Sequence, residues 1–134
     1  YLFSTNYNIM GLTKENAVNF VSSLEGYHQQ LKMLHWGADK HAKHILTDEI
    51  DGEVLSFEDE IAEMAMGFLN EKISDGLKAL LPENKELRGL LDELIEEVAK
   101  FEDEVTEKEN RGIVSACDDF IGKINKYKYL ETLG

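Results

Sequence analysis

The sequence predicts an all-α domain, an antiparallel four-helix bundle. Three observations carry that prediction. Apolar residues recur at alternating steps of three and four in four long stretches, the period of helices that each bury one face. A single proline and ten glycines in 134 residues leave those stretches largely uninterrupted. No segment alternates apolar and polar residues as a half-buried strand would.

Residues 1–12, which begin YLFSTNYNIM, are aromatic and Asn-rich and read as an irregular segment lying over an edge of the bundle. The bundle itself is expected over 13–134. Thr13 is the expected N-cap of the first helix and Glu15 suits its first turn. Ala17, Phe20, Leu24, Tyr27, Leu31 and Leu34 then define a helix over about 14–36. Gly37-Ala38-Asp39-Lys40 breaks it. Ile50, Val54, Phe57, Ile61, Met64 and Phe68 define a second helix over about 41–70. Ser74-Asp75-Gly76 and Pro82 mark residues 71–82 as a short connector with room for one short helix. The third helix begins near Asn84, with Leu87, Leu91, Leu94, Val98, Phe101 and Val105 on its stripe. Glu109-Asn110-Arg111-Gly112 reads as a turn. Ile113, Cys117, Phe120, Ile124, Tyr127 and Leu130 define the fourth helix.

A chain of this length supports one core. The formal net charge of −13 argues against a partner bound through phosphates, and it suits attraction of cations. Cys117 is the sole cysteine and lies on an apolar stripe, so it reads as core packing in a reducing compartment. No apolar run approaches the ~20 residues of a membrane span. The first ten residues lack the basic start and cleavage pattern of a signal peptide, and the missing initial Met suggests a trimmed N-terminus. A cytoplasmic location and no membrane partner are expected.

The chemistry concentrates between His35 and Phe68. On a helical wheel His44, Asp48, Asp59 and Glu63 fall near roughly 0°, 40°, 60° and 100°, while the apolar stripe centres near 240°. Metal-ligand residue types therefore point away from the chain's own core. His44 and Asp48 lie one turn apart, as do Asp59 and Glu63, but the two pairs are centred ~22 Å apart along the axis. One ion cannot touch both within a chain. Two such helices crossing antiparallel about a two-fold axis near Glu53-Val54 would bring His44 and Asp48 of one chain to Asp59 and Glu63 of the other. His35 lies across a short loop and would complete the nitrogen side. Leu55, Ala62 and Met66 on the same face fit a buried interface. A His/carboxylate set suits Fe(II), Zn(II) or Mn(II). The plain alternative is an acidic, solvated helix face. A metal site inside one bundle is disfavoured: Glu25-Gly26-Tyr27-His28 is one Glu-x-x-His match, but every histidine precedes residue 45, so no second match is available.

The frame His35-Trp36, His44, Asp48, Asp59, Glu63 resembles the Dps mini-ferritins, the starvation-induced DNA-protecting ferritins. Asp59-Glu60-Ile61-Ala62-Glu63 is similar to that family's D-E-x-A-E segment, and Tyr129-Leu130-Glu131-Thr132-Leu133-Gly134 to its terminus. The likeness covers about 13–134. It implies a ferritin-like bundle and a shell of twelve subunits. It also implies ferroxidase sites that combine His35, His44 and Asp48 of one subunit with Asp59 and Glu63 of its two-fold partner. The implied reaction is oxidation of Fe(II), preferably by peroxide, with storage of ferric mineral. Trp36 would be the family's radical-intercepting aromatic residue; its other reading is an ordinary packed indole. This chain departs from the pattern in three ways. The interval from His35 to His44 is three residues shorter, His41 is an additional histidine able to join His44 and Asp48 or to lie exposed, and the connector after the second helix is short. No lysine-rich tail is present. With only Lys123, Lys126 and Lys128 clustered on the fourth helix, no direct DNA binding is expected. The competing functional reading is a non-catalytic ferritin-like oligomeric scaffold that binds metal weakly or binds zinc.

Overall fold

A computed structural model describes residues 11–106 and 108–134; the irregular segment expected at the N-terminus lies almost wholly outside them. The described residues form four α-helices, α1 (Lys14–Trp36), α2 (His41–Leu69), α3 (Leu87–Glu104) and α4 (Arg111–Glu131), with 3-10 turns at Ser74–Gly76 and Lys108–Asn110 and no strand. The expected all-α four-helix bundle is what the chain forms.

Each helix starts or stops for a local reason. Thr13 caps α1 in a reciprocal box: its Oγ accepts from the Asn16 N–H at 3.1 Å, and its own N–H donates to Asn16 Oδ1 at 2.8 Å. Asn70 closes α2 in the left-handed region at φ 53°, a conformation that asparagine tolerates. The third helix begins at Leu87 rather than near Asn84 because Glu93 reaches back to the loop. Its carboxylate accepts from the Glu83 N–H at 3.1 Å and the Asn84 N–H at 3.0 Å, which holds those residues outside the helix.

Side-chain contacts fix the direction of every helix. Lys14 pairs with Glu71 at 3.5 Å and Asp75 at 3.4 Å, so α2 ends beside the start of α1. The Arg88 guanidinium donates to the Lys128 carbonyl at 3.1 Å and pairs with Glu131 at 3.3 Å, so α3 starts beside the end of α4. α1 packs on α2 and α3, and α4 packs on the same two. All four neighbouring pairs are antiparallel, while α2 and α3 run in the same direction across the diagonal. Residues 70–86 must therefore travel the length of the bundle. They do so over α1, where the Leu80 N–H donates to the Ser22 carbonyl at 3.1 Å and the Lys78 N–H to Ser22 Oγ at 3.2 Å. A β-carbon on Gly26 would overlap the Leu80 carbonyl, so glycine is what lets the strap lie flat. The connector expected over 71–82 thus spans 70–86, carries the expected short helical turn at Ser74–Gly76, and makes one long crossover in the four-helix bundle.

The core is closed by aromatic rings from all four helices. Phe101 stacks on Phe20 at 4.0 Å, Phe20 meets Phe57 edge-on at 6.1 Å, and Phe57 stacks on Phe120 at 4.1 Å. Most positions of the apolar stripes read from the sequence are buried, but Leu34, Met64 and Tyr127 are half-buried, Phe68 and Leu130 are exposed, and Ala65 is buried beside Met64 on α2. Cys117 is fully buried, and burial pushes its thiol up to about 12, as a packed core cysteine requires. Among the described residues no helix is long and apolar enough to cross a membrane.

Candidate metal centre

The tight turn at Gly37–Lys40 brings the last turn of α1 against the first turn of α2. His35 and His44 meet there. Their rings stack with centroids 3.8 Å apart and an interplanar angle of 19°. Each ring also bonds to the backbone of the other residue. His35 Nδ1 lies 2.6 Å from the His44 carbonyl oxygen, and His44 Nδ1 lies 3.0 Å from the His35 carbonyl oxygen. A carbonyl only accepts, so both Nδ1 atoms carry the proton. In the neutral rings both Nε2 atoms then hold a free lone pair. This second-atom anchoring is how metal-ligating histidines are oriented. Thr47, fully buried, donates to the Lys43 carbonyl at 2.8 Å and places its hydroxyl 3.5 Å from His35 Nδ1, filling the space behind the pair.

Asp48 follows His44 by one turn and is exposed, with Lys32 Nζ 4.0 Å from its Oδ1. His35 is half-buried, and His41 and His44 are exposed. Trp36 is 72% exposed, which removes the reading of a packed indole within this chain. Asp59 and Glu63 are exposed on the distal half of α2, beside Glu53, Glu60, Asp119 and Lys123 in an open groove of about 440 Å³ between α2 and α4. The structure therefore brings His35 and His44 together and leaves Asp59 and Glu63 far down the same helix. Among the described residues no three His, Cys, Asp or Glu side chains converge into a cluster able to hold a metal. In-plane lone pairs of two nearly parallel rings do not meet at one point, so an ion shared by both imidazoles requires them to turn toward each other.

A second ionisable group lies at the α1/α2 seam, where only the unpaired Glu-x-x-His match is legible in the sequence. His28 Nδ1 sits 2.7 and 3.0 Å from the two oxygens of Asp51, which is buried. Beside them Glu58 is pushed up to about 8, first by burial and then by the charge and hydrogen bond of Glu25, with Asp51 and Asp59 adding to it. Asp51 and Glu58 sit on the flank of α2 that the wheel places between stripe and solvent. A polar residue seven positions from another on that flank is the signal that would have found them. Among the described residues the phenylalanine stack occupies the centre of the bundle, and this seam lies to its side between α1 and α2. Two further features are structural. Tyr27 is buried and donates to Glu97 at 3.3 Å. Glu102 is pushed up to about 7 by burial and by its hydrogen bond with Asp118.

No protein-family model, curated protein or solved structure matches this chain.

Proposed function

We propose that the chain is a Dps-type ferroxidase and iron store that oxidises Fe(II) at sites shared between two-fold-related subunits. The observation that carries this reading is the His35–His44 pair. Both rings have their Nδ1 protons committed to backbone carbonyls, and both keep Nε2 for a cation, one turn from the Asp48 carboxylate. Asp59 and Glu63 of the partner would supply the remaining carboxylates across an interface on the exposed face of α2, where Leu55 is 40% exposed. The ferritin-like crossover supports the same reading. In this reaction two ferrous ions each give one electron to hydrogen peroxide, which takes up two protons from solvent and leaves as two waters, and the excess of acidic side chains draws in the next cations.

The −13 net charge, with Lys123 paired to Glu53 at 3.5 Å and Lys128 to Asp92 at 2.6 Å, leaves little basic surface for a nucleic acid. A gel shift showing tight duplex binding at low salt would contradict that part. A second reading, a non-catalytic scaffold that binds zinc or binds metal weakly, draws on the ammonium of Lys32 beside Asp48. Two measurements separate the readings. Light scattering on the eluting protein distinguishes a shell from a monomer, and anaerobic Fe(II) followed by peroxide reports ferric-oxo absorbance. Unchanged iron oxidation in a His44→Ala, Asp59→Ala double variant would overturn the site assignment.

A further inference from the structure

Exposed apolar surface and charge are both distributed unevenly along the bundle. Among the described residues, eight of the ten large apolar side chains that stand out into solvent belong to residues 26–54, 79–95 and 122–134, the half that ends where α1 turns into α2 and α4 stops. That half carries eight Lys and Arg against ten Asp and Glu, whereas residues 11–25, 55–78 and 96–121 carry six against seventeen. One end of the molecule is therefore nearly neutral and partly apolar, and the other holds most of the net negative charge.

A groove of about 760 Å³ opens at the neutral end, where the starts of α2 and α3 meet the end of α4. Ile45, Leu46, Leu87 and Leu130 give it an apolar lining, and Ile45 is 44% exposed. Two ties between α3 and α4 hold its walls, Arg88 to Glu131 and Lys128 to Asp92. Beside the groove Leu133 is 65% exposed on the turn that closes α4, held there by its N–H, which donates to the Leu130 carbonyl at 3.1 Å. The Arg88–Glu131 pair shares the rim with Lys40, Lys43, Asp39, Glu49 and Glu86.

We propose that this end is a self-association surface, on which a second copy of the chain docks end to end about a two-fold axis. An apolar knob and an apolar socket lie side by side here, as a self-complementary contact requires. A rim of mixed sign can match its own copy, each cation finding an anion across the axis, whereas a rim of one sign would call for an oppositely charged partner. Covering the groove, its rim and the apolar side chains beside it buries several hundred Å² per chain, within reach of the ~800 Å² that a standard interface takes from each partner. Electrostatics selects the same end. Two chains of net charge −13 that meet here keep the centres of their acidic halves roughly 60–70 Å apart, at 1.5 Å per residue along α2, which is several Debye lengths. The contact does not rest on the metal-site reading, whose shared face lies along the side of α2 around Leu55, Asp59 and Glu63.

The test is light scattering of the full chain over a concentration series at low and high salt, in a Leu55→Glu variant that removes the lateral contact of the metal-site reading. We expect a species of twice the chain mass that stops at two and tightens with salt, as the repulsion between like-charged chains is screened. Adding Ile45→Glu and Leu133→Glu should halve that mass to the single chain; both side chains are exposed, so the helical fold is kept, which circular dichroism checks. A single-chain mass for Leu55→Glu at every concentration would overturn the end-on contact, and assembly of the wild type would then leave the α2-face reading standing. Persistence of the pair in the triple variant would overturn it as well. So would open-ended growth that salt weakens, the result of this end seating on a neighbour's acidic half. Flotation of single chains with lipid vesicles, lost in the triple variant, would assign the surface to a bilayer instead.

Discussion

Replacing Gly26 with alanine tests the feature of the fold that the sequence concealed. The crossover lies on α1 at that residue, and an added methyl group would occupy the position of the Leu80 carbonyl. Backbone atoms cannot yield as a flexible side-chain end would, so the strap has to lift. Lifting costs about 1–3 kcal/mol as overpacking. It also breaks the bonds from the Leu80 and Lys78 N–H groups to Ser22, each worth about 0.5–1.5 kcal/mol. Alanine returns about 1 kcal/mol of helix propensity. The net loss is about 3 kcal/mol, which for a chain of this length lowers Tm by roughly 10 °C. Gly122→Ala is the matched control, since a β-carbon there meets nothing within 4 Å; it should raise Tm by roughly 3 °C. Thermal melts followed by circular dichroism decide the matter. A Gly26→Ala variant as stable as wild type would refute the close crossing of strap and helix.

Two further predictions concern the core and the α1/α2 seam. Phe57→Ala removes the ring that links the α1/α3 stack to α4, and chemical denaturation should show a loss of about 3–5 kcal/mol; a loss below about 1 kcal/mol would contradict the four-helix aromatic core. Glu58 has a folded-state pKa near 8 against 4.5 for an ordinary glutamate, so its contribution is intact below about pH 4.5 and is lost as pH rises toward 8. Glu58→Gln cannot ionise. Its Tm relative to wild type should therefore start near zero at acid pH and climb to a plateau above pH 8, and a flat or falling difference would contradict the burial of that carboxyl.

Much of the bundle is written in local periodicity. The expected span of 14–36 for the first helix matches α1, because a capping threonine, a clean apolar stripe and a Gly37 stop all agree. The stripe of α3 is buried at every position from Leu87 to Val105 because nothing competes with it. The crossover was not legible. Ser22 and Gly26, one turn apart, read as ordinary small residues in a helix, and only the path of residues 77–82 shows that they form a seat for backbone. Pairing of His35 with His44 was legible as nearness across a short loop; the reciprocal ring-to-carbonyl bonds were not, because they depend on the turn geometry of Gly37–Lys40. Asp51 and Glu58 escaped notice because their positions border the stripe, and burial there is decided by α1 rather than by their own helix. Asp59 and Glu63 remain distant from His44 within one chain, as their axial separation demanded.

The central claim is that two chains together hold one ion, and complementation between inactive variants tests it most directly. A His44→Ala chain and an Asp59→Ala, Glu63→Ala chain each lack half of every shared site. Denatured together in equal amounts and refolded, they should form mixed pairs in which one of the two sites is whole, restoring about a quarter of the wild-type Zn²⁺ stoichiometry while either variant alone restores none. Recovery of none in a mixture that does assemble, or full binding by either variant alone, would contradict the account.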